Sequence, residues 1–223
     1  MPRKKFDLST LPDSPNLSFE QALWQAGVAY VAGVDEAGRG ALAGPVSAGV
    51  VILPQDETLP QTLSGVRDSK QMTAKQREQW AEHILKTAVA AQVGFAEPAE
   101  IDELGIVPAT RLAAMRALAQ LSQAPGHLLI DHISIPGAGL PATSLVKGDC
   151  RSLSIAAASV LAKVARDALM VELDAQYPAY GFAGHKGYGT RQHRTAIEQL
   201  GPCKIHRMTF APIRKDPEQL ELL

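Results

Sequence analysis

Tyr30-Val31-Ala32-Gly33-Val34-Asp35-Glu36-Ala37-Gly38-Arg39-Gly40 is the stretch that decides the fold of this chain. An apolar run typical of a strand ends in two adjacent acids, and a glycine-flanked arginine follows them. Carboxylates at the end of a buried strand repel one another unless a divalent cation neutralises them. A Gly-Arg-Gly loop lets main-chain N–H groups and a guanidinium approach an anion closely. The stretch therefore indicates a metal-dependent site that acts on phosphate.

Composition limits the class of protein. The chain has 223 residues, of which 46% are hydrophobic and 20% charged, as in an ordinary globular domain. No stretch approaches the roughly 18 apolar residues of a membrane span, and no apolar signal segment follows the basic N-terminus. Two cysteines, Cys150 and Cys203, are too few for a disulfide framework or a cysteine-rich zinc site. We therefore expect a cytoplasmic protein with reduced thiols and no membrane association.

Charge is distributed unevenly along the chain. The formal net charge is −1, yet residues 181–215 carry seven Lys and Arg side chains and a single acid, Glu198. Such a basic segment is typical of a surface that binds a phosphate backbone. A solvated helix face followed by a tail would have the same composition, so charge alone leaves both interpretations open.

Hydrophobic patterns predict alternating strands and helices in one α/β domain. The expected strands cover about 29–35, 46–53, 89–95, 128–130 and 143–146. The expected helices cover about 21–26, 74–87, 98–104, 108–121, 153–176 and 191–200. The second strand is apolar almost throughout, which predicts burial on both faces. The small residues Ala156-Ala157-Ala158-Ser159 would let the long helix lie close against the sheet.

The domain is expected to span residues 17–213, including a helical C-terminal extension. Residues 1–16 are polar and contain several prolines, which indicates a flexible N-terminal arm. Residues 214–223 are expected to form a tail that is either frayed or a contact for a repair protein.

Acidic residues end three of the predicted strands. Asp35 and Glu36 follow the first, Asp131 follows a short apolar run, and Asp149 follows the last. These side chains converge only if the strand ends lie side by side, where α/β sheets usually place their ligands. Oxygen ligands suit Mg²⁺ or Mn²⁺ better than zinc, and such a site serves phosphoryl displacement. Exposed acids without a metal are the alternative that spacing alone leaves open.

Gly38-Arg39-Gly40-Ala41-Leu42-Ala43 also matches a dinucleotide-binding fingerprint. That motif requires a helix to begin inside it, whereas Gly44-Pro45 follows here and leads into a second apolar run. Two acids directly before the loop would also repel a pyrophosphate. A nucleotide-binding fold is therefore disfavoured.

Six ordered motifs resemble ribonuclease HII, the type 2 ribonuclease H family, over about residues 29–213. They are Asp35–Gly40, Asp68-Ser69-Lys70, Asp131 after its strand, Lys147-Gly148-Asp149 with Ser154–Asp167, His185–Thr190, and His206–Pro212. The resemblance implies an RNase H-like mixed five-stranded sheet flanked by helices. It also implies hydrolysis of RNA in RNA–DNA hybrids and nicking 5′ to single ribonucleotides in duplex DNA, leaving 3′-hydroxyl and 5′-phosphate ends.

The resemblance also implies roles for individual residues. The metal-binding carboxylates would be Asp35, Glu36, Asp131 and Asp149, with Mn²⁺ or Mg²⁺ as cofactor. Gly38-Arg39-Gly40 would sense the 2′-hydroxyl, and Tyr188 would stack on the sugar at the RNA-to-DNA junction. Further candidates for substrate contact are Ser69, Lys70, Lys147 and Lys186. Asp167 has either an accessory metal role or an ordinary pairing with Arg166 on a solvated helix face.

Two positions depart from the family pattern. His132 follows the third acid, where the family usually has glycine, and Cys150 replaces a common serine. His132 could crowd the metal pocket or add a ligand, and Cys150 could sensitise it to oxidation or soft metals. Neither substitution removes a carboxylate.

Two other functions compete with this interpretation. A type 3 ribonuclease H shares the chemistry but typically carries an extra N-terminal domain, and Gly38-Arg39-Gly40 is the type 2 form of the loop. A non-catalytic hybrid-binding module would lack a metal ligand, whereas all four carboxylates are present. We therefore predict a monomeric endoribonuclease that binds RNA–DNA hybrids and ribonucleotide-containing duplex DNA.

Overall fold

The computed structural model describes residues 6–214, which contain one mixed sheet of five strands. The strands are β1 (Val31–Ala37), β2 (Val46–Ile52), β3 (Ala90–Ala96), β4 (His127–Asp131) and β5 (Ala142–Leu145). Their order across the sheet is β3-β2-β1-β4-β5. β2 is antiparallel to both β1 and β3, whereas β1, β4 and β5 run parallel. The expected sheet is therefore confirmed.

Helices cover both faces of this sheet and form the C-terminal extension. They are α1 (Ser18–Gln25), α2 (Leu59–Thr62), α3 (Ala74–Thr87), α4 (Pro98–Leu104), α5 (Ile106–Ala119), α6 (Leu153–Gln176), α7 (Phe182–His185) and α8 (Arg191–Leu200). Within residues 6–214, no helix combines the length and apolar character needed to cross a bilayer.

Glycines on the strands bring α6 against one face of the sheet. A β-carbon on Gly33 would lie 2.1 Å from the backbone of Ser154, and one on Gly49 would lie 2.3 Å from that of Ala158. α5 makes the same approach on the other face, where a β-carbon on Gly94 would lie 2.2 Å from the carbonyl oxygen of Ala113. β2 is buried along its whole length between these layers, as expected. The small residues of α6 thus let this helix lie close against the sheet, as predicted.

The first strand and the last acid differ from the sequence-based expectation. Asp35 and Glu36 lie inside β1 because the strand continues to Ala37, which pairs with Ser47 of β2. Asp149 does not end a strand: it lies in a 3-10 turn, Gly148–Cys150, that leads into α6. Asp131 is the last residue of β4, as predicted. The nucleotide-binding alternative is wrong, because β2, not a helix, follows Gly38–Ala43.

Part of the expected N-terminal arm contacts the start of α6. Asn16 forms a bridge with Ser152, and Glu20 of α1 accepts hydrogen bonds from the hydroxyls of Ser152 and Ser154, both at 2.6 Å. Glu20 also accepts the backbone N–H of Ser154 at 2.9 Å. This buried carboxylate fixes the end of α6 that follows the Asp149 turn. Residues 1–5 and, apart from Arg214, the expected tail lie outside the described residues.

Candidate active site

Three aspartates meet where β1, β4 and the start of α6 come together. The side chains of Asp35, Asp131 and Asp149 each offer a ligand atom, and these atoms lie within 4.8 Å of one another. The register explains the first pair: Val34 lies opposite Ile130, so the next residues, Asp35 and Asp131, lie side by side. Asp131 then holds the Asp149 turn, since its Oδ1 accepts the N–H of Gly148 at 2.8 Å.

This acidic cluster carries uncompensated charge. Asp35 is 4% exposed and Asp149 is 3% exposed. Among the described residues, Oδ2 of Asp35 and Oδ1 of Asp149 have no hydrogen-bond partner. Burial, followed by the nearby Glu36 and Asp131, raises the pKa of Asp35 well above its usual range. Burial and the neighbouring Asp131 and Asp68 also raise the pKa of Asp149.

Buried, unpartnered carboxylate oxygens are costly unless a cation pairs with them. The donor atoms are all hard oxygens, which suit Mg²⁺ or Mn²⁺. The residues present therefore fit a divalent metal. The alternative of exposed acids without a site is disfavoured, because the side chains of Asp35 and Asp149 are buried.

Glu36 lies near the aspartate group but does not share its ligand geometry, because it is not among the atoms that lie within 4.8 Å of one another in the described residues. Adjacent residues of a strand project to opposite faces, so the side chains of Glu36 and Asp35 leave β1 in different directions. Oε1 of Glu36 accepts a hydrogen bond from Nη1 of Arg39 at 3.0 Å. Burial nevertheless raises the pKa of Glu36, against the lowering effect of Arg39. The structure thus brings together three of the four predicted carboxylates and holds the fourth in an ion pair.

Asp68 is a site residue that the sequence reasoning missed. Ligand atoms of Asp68, Asp149 and Cys150 lie within 4.8 Å of one another. Nζ of Lys70 is 3.7 Å from Asp68 and 3.8 Å from Asp149, so this lysine neutralises part of the cluster. Burial lowers the pKa of Lys70, but the surrounding aspartates raise it and prevail. Asp68 begins the Asp68-Ser69-Lys70 motif, from which only Ser69 and Lys70 were taken as candidates. The presence of a carboxylate in that motif was the sequence signal that could have identified Asp68.

Ser69 lies inside the protein, in contrast to its exposed neighbour. It is buried, and its hydroxyl is 3.0 Å from that of Ser159 on α6. Lys70 is exposed beside it. In this structure Ser69 fastens the loop to α6 and leaves Lys70 facing the cluster.

Two buried arginines hold the glycine loop and were not predicted as site residues. Arg166 donates to the carbonyl oxygens of Pro45 at 2.8 Å, Ala43 at 3.1 Å and Lys186 at 2.9 Å. The guanidinium group of Arg166 is therefore paired with backbone carbonyl oxygens and not with a carboxylate. Of the two alternatives for Asp167, the pairing with Arg166 on a solvated helix face is wrong, because Arg166 is fully buried.

Arg207 secures the same loop from the C-terminal extension. It donates twice to the carbonyl oxygen of Gly44, at 3.0 and 2.9 Å, and once to that of Arg39 at 2.9 Å. Burial and the nearby Arg166 lower the pKa of Arg207 to about 9. Arg207 is fully buried. Part of the basic C-terminal charge therefore stabilises the fold and does not face solvent.

Tyr188 stands next to this loop with cations around its ring. Nζ of Lys163 lies 5.2 Å from the ring centroid and Cζ of Arg166 lies 5.4 Å from it. The ring is half-buried, so one part of it remains open to solvent. Lys147 is exposed and Lys186 half-buried, and both have positive φ angles, of 58° and 53°.

Asp167 pairs with two cations. It accepts from Nζ of Lys163 at 2.7 Å and from Nη2 of Arg77 at 3.4 Å. It is not among the acids that group as metal ligands within the described residues. Its contacts connect it to Tyr188 through Lys163.

The structure locates the two departures from the family pattern. His132 has φ 59° and an exposed side chain. The left-handed backbone explains why glycine suits this position. In residues 6–214, His132 is not part of either group of clustered ligands. Burial and the adjacent Asp149 raise the pKa of the Cys150 thiol to about 11, so it is protonated at neutral pH.

A mixed five-stranded sheet whose strands β1 and β4 contribute two of three clustered carboxylates, the third coming from the turn before α6, is the arrangement of a metal-dependent nuclease of the RNase H-like class. The ribonuclease HII family model matches residues 32–213. The chain belongs to the ribonuclease HII family. It is accordingly a metal-dependent enzyme that hydrolyses the RNA strand of RNA–DNA hybrids. The type 3 and non-catalytic alternatives are set aside on this finding.

Known relatives support this assignment. A ribonuclease HII from Synechococcus is 54% identical over 200 residues, which cover 90% of each chain. The crystal structure of ribonuclease H2 from Pyrococcus horikoshii has 30% identity and a TM-score of 0.71, covering 86% of this chain and 99% of that one. RNase HII from Archaeoglobus fulgidus, solved in a complex with PCNA, has 26% identity and a TM-score of 0.68, with 83% and 97% covered.

Proposed function

We propose that this enzyme nicks duplex DNA on the 5′ side of a single embedded ribonucleotide, in addition to cleaving RNA in longer hybrids. The observation that carries the proposal is the position of the Gly38-Arg39-Gly40 loop. The loop directly follows the strand that carries Asp35. Buried Arg207 donates to the carbonyl oxygen of Arg39, and buried Arg166 packs against Gly38 and donates to the carbonyl oxygen of Ala43 just beyond the loop. A fixed backbone beside the carboxylates can test each nucleotide for a 2′-hydroxyl.

Recognition of one ribonucleotide requires a contact with its 2′-hydroxyl, the only group that separates RNA from DNA at a single position. Gly40 is exposed, and a β-carbon there would meet nothing within 4 Å in the protein. Its backbone is therefore open to a sugar. Tyr188 supplies the second test, because its ring fits beside a deoxyribose without a 2′-hydroxyl. Arg39 is half-buried and available to the adjacent phosphate.

Asp35, Asp131 and Asp149 are proposed to hold the divalent metal, Mg²⁺ or Mn²⁺, with Glu36 as the fourth carboxylate. When bound there, a divalent metal would activate a water and would neutralise charge on the scissile phosphate. Glu36 accepts from Arg39 at 3.0 Å, so recruitment of Glu36 competes with that ion pair. A substrate phosphate that draws Arg39 away would release Glu36.

Lysines around the site are proposed to position the nucleic-acid backbone. Lys147 and Lys186 adopt left-handed backbone conformations, Lys147 directly before the turn that carries Asp149, and Nζ of Lys70 lies 3.8 Å from Asp149. The expected products carry a 3′-hydroxyl and a 5′-phosphate, which repair enzymes can process further. We place this activity in ribonucleotide removal in the cytoplasm, which agrees with the two free cysteines, Cys150 and Cys203.

The enzyme is proposed to act as a monomer and to contact a repair protein through residues 214–223. The support for such a contact is the Archaeoglobus homologue, whose structure is that of a PCNA complex. The tail of this chain has the sequence Arg214-Lys215-Asp216-Pro217-Glu218-Gln219-Leu220-Glu221-Leu222-Leu223. Its two leucines at the end offer an apolar contact.

The test is cleavage of a labelled DNA duplex that contains one ribonucleotide, assayed with Mg²⁺, with Mn²⁺ and with chelator. An all-DNA duplex and a long RNA–DNA hybrid of the same sequence serve as controls. We expect a metal-dependent nick 5′ to the ribonucleotide, with a phosphatase-sensitive 5′ end. Cleavage of the hybrid without the nick would limit the function to hybrid hydrolysis. Equal cleavage in chelator would contradict the metal assignment.

A further inference from the structure

A cluster of buried histidines lies in the C-terminal extension, away from the carboxylates. Nε2 of His193 is 3.0 Å from Nε2 of His206, and both side chains are buried. The His185 ring stacks on His193 with centroids 4.3 Å apart. Phe182 and Tyr180 complete an aromatic shell around them. A direct contact between two imidazole nitrogens is a hydrogen bond only when one is protonated and the other is not.

Backbone partners assign the protons of both rings. Nδ1 of His206 lies 2.9 Å from the backbone nitrogen of Cys203, whose N–H donates to it, and 3.2 Å from both the carbonyl oxygen and Sγ of the same residue. The carbonyl oxygen already accepts the backbone N–H of His206 at 3.0 Å, so we take the shorter N–H contact to assign Nδ1 of His206 as the nitrogen without a proton. His206 therefore carries its proton on Nε2 and donates it to Nε2 of His193. His193 then carries its proton on Nδ1, which lies 3.1 Å from the carbonyl oxygen of Tyr188. Both rings are neutral, with opposite tautomers.

The end point of this chain of hydrogen bonds is the backbone of Tyr188. Gly187 and Gly189 flank that residue, and Gly187 has φ +79°. The N–H of Thr190 also donates to the Tyr188 carbonyl, at 2.8 Å, but this is a contact within the same short loop. The His193 contact is the one that ties the carbonyl to a helix, because His193 lies in the first turn of α8.

We propose that His193 and His206 are positioning residues that hold Tyr188 in place for recognition of the RNA-to-DNA junction. The proposal rests on the proposed function, in which the Tyr188 ring stacks on the junction sugar. His206 fixes the tautomer of His193, and His193 fixes the carbonyl of Tyr188. Loss of the relay leaves the Tyr188 carbonyl with only the Thr190 contact inside its own short loop, so the flanking glycines let the ring occupy several positions. Cleavage of a substrate that requires a fixed Tyr188 ring then loses more kcat/KM than cleavage of a long hybrid, which offers many cleavable sites.

The test compares kcat/KM on the single-ribonucleotide duplex with kcat/KM on a long hybrid for four variants. His193→Leu removes the relay at similar volume, and His193→Asn restores a donor at the position of Nδ1. Tyr188→Ala is the reference for loss of the ring. Tyr180→Phe is the matched control, because it deletes a 2.7 Å hydrogen bond to Gly201 in the same cluster without touching the relay.

We expect His193→Leu to lower kcat/KM on the duplex about tenfold, the scale of one lost hydrogen bond, and on the hybrid about threefold or less. His193→Asn should recover most of that loss, and Tyr180→Phe should leave the ratio of the two substrates unchanged. Equal losses on both substrates with His193→Leu, or no recovery with His193→Asn, would overturn the relay.

Nitrogen NMR of the wild-type protein tests the tautomers independently of folding of the variants. We expect the Nδ1–H form for His193 and the Nε2–H form for His206. The opposite assignment for either ring overturns the proposal. If Tyr188→Ala affects both substrates alike, the junction role of Tyr188 fails and the relay falls with it. If Tyr188→Ala discriminates and His193→Leu does not, the relay alone is wrong.

Discussion

Arg166 occupies the space beside the α-carbon of Gly38, where a β-carbon would lie 1.9 Å from Nε of the guanidinium. This contact joins the long helix α6 to the loop that follows β1. The same guanidinium donates to three backbone carbonyls, so the loop and α6 form one unit. Gly38 has φ +89°, a backbone conformation that side chains rarely adopt. The glycine is therefore required by packing and by backbone geometry together.

Gly38→Ala should damage both the fold and the activity. The new methyl group would displace the buried guanidinium of Arg166, and an alanine in the left-handed backbone conformation would lower the free energy of unfolding by about 1 kcal/mol more. We expect a lower melting temperature and a loss of cleavage of about a hundredfold or more. Gly40→Ala is the matched control, because a β-carbon there meets nothing within 4 Å. It should leave the melting temperature unchanged and raise KM for the duplex. A stable Gly38→Ala enzyme would contradict the role of the Arg166 contact.

Asp35→Asn should abolish cleavage and stabilise the metal-free protein. The pKa of Asp35 is raised above its ordinary value of 3.8, so ionisation costs stability in the folded state. That cost develops as the pH rises above 3.8 and is complete above the folded-state pKa. In chelator, the variant should therefore have a higher melting temperature than the wild-type protein at pH near 8 and the same melting temperature near pH 3. Substrate binding should persist, with Glu57→Gln as an exposed control. Retained turnover would remove Asp35 from the site.

Divalent metal should raise the melting temperature of the wild-type protein, because it binds the folded cluster and not the unfolded chain. Lys70→Ala sharpens this test. Its ammonium group lies 3.7 and 3.8 Å from Asp68 and Asp149 and partly neutralises the cluster. Removing it should lower the melting temperature in chelator by a few degrees and enlarge the gain on adding Mn²⁺. An unchanged gain would mean that lysine and metal do not compete.

Asp167→Asn should leave the metal requirement unchanged. Asp167 already pairs with Lys163 at 2.7 Å and Arg77 at 3.4 Å. The variant should lose about 1 kcal/mol of stability from these ion pairs and show a modest drop in kcat as Lys163 loosens beside Tyr188. The measurement is the Mg²⁺ concentration at half-maximal rate. A shift of about tenfold in that concentration would assign Asp167 to the metal instead.

Tyr188→Ala should impair the single-ribonucleotide duplex more than the long hybrid, because only the junction requires the ring beside a deoxyribose. Tyr188→Phe keeps the flat ring and should behave much like the wild-type enzyme on both substrates. The measurement is the ratio of kcat/KM values for the two substrates. Similar losses of both in Tyr188→Ala would contradict a role at the junction.

The sequence predicted the elements of this fold closely because hydrophobic periodicity is local. The helix at 153–176 and the capped helix at 74–87 have the predicted bounds in the structure, and Thr73 forms the capping hydrogen bond with Gln76 at 3.3 Å. The short helices α2 and α7 were not predicted, the helix expected at 108–121 covers Ile106–Ala119, and β1 continues past Asp35 to Ala37 because β2 pairs with that segment. A pairing partner outside the segment was needed to extend the strand past two acids.

The site was predicted less completely, since charged side chains find partners across long distances in sequence. Arg166 and Arg207 read as surface charges, yet they bind the backbone at Pro45 and Gly44, 121 and 163 residues away. The separation of Glu36 from Asp35 follows from strand alternation, but its pairing with Arg39 depends on the loop. Asp68 enters the cluster because its loop packs on α6 through Ser69 and Ser159.

The sequence by itself determined the succession of strands and helices along the chain, Asp35, Asp131 and Asp149 as candidate ligands, and the family that the motifs resemble. Local patterns suffice for these features because they depend on side-chain period and motif spacing. Only the tertiary structure decided which carboxylates share a pocket, that two arginines are buried under the glycine loop, and that His193 bonds to the backbone of Tyr188. Those relationships depend on which distant segments pack together, and burial then sets both the charge and the partner of each group.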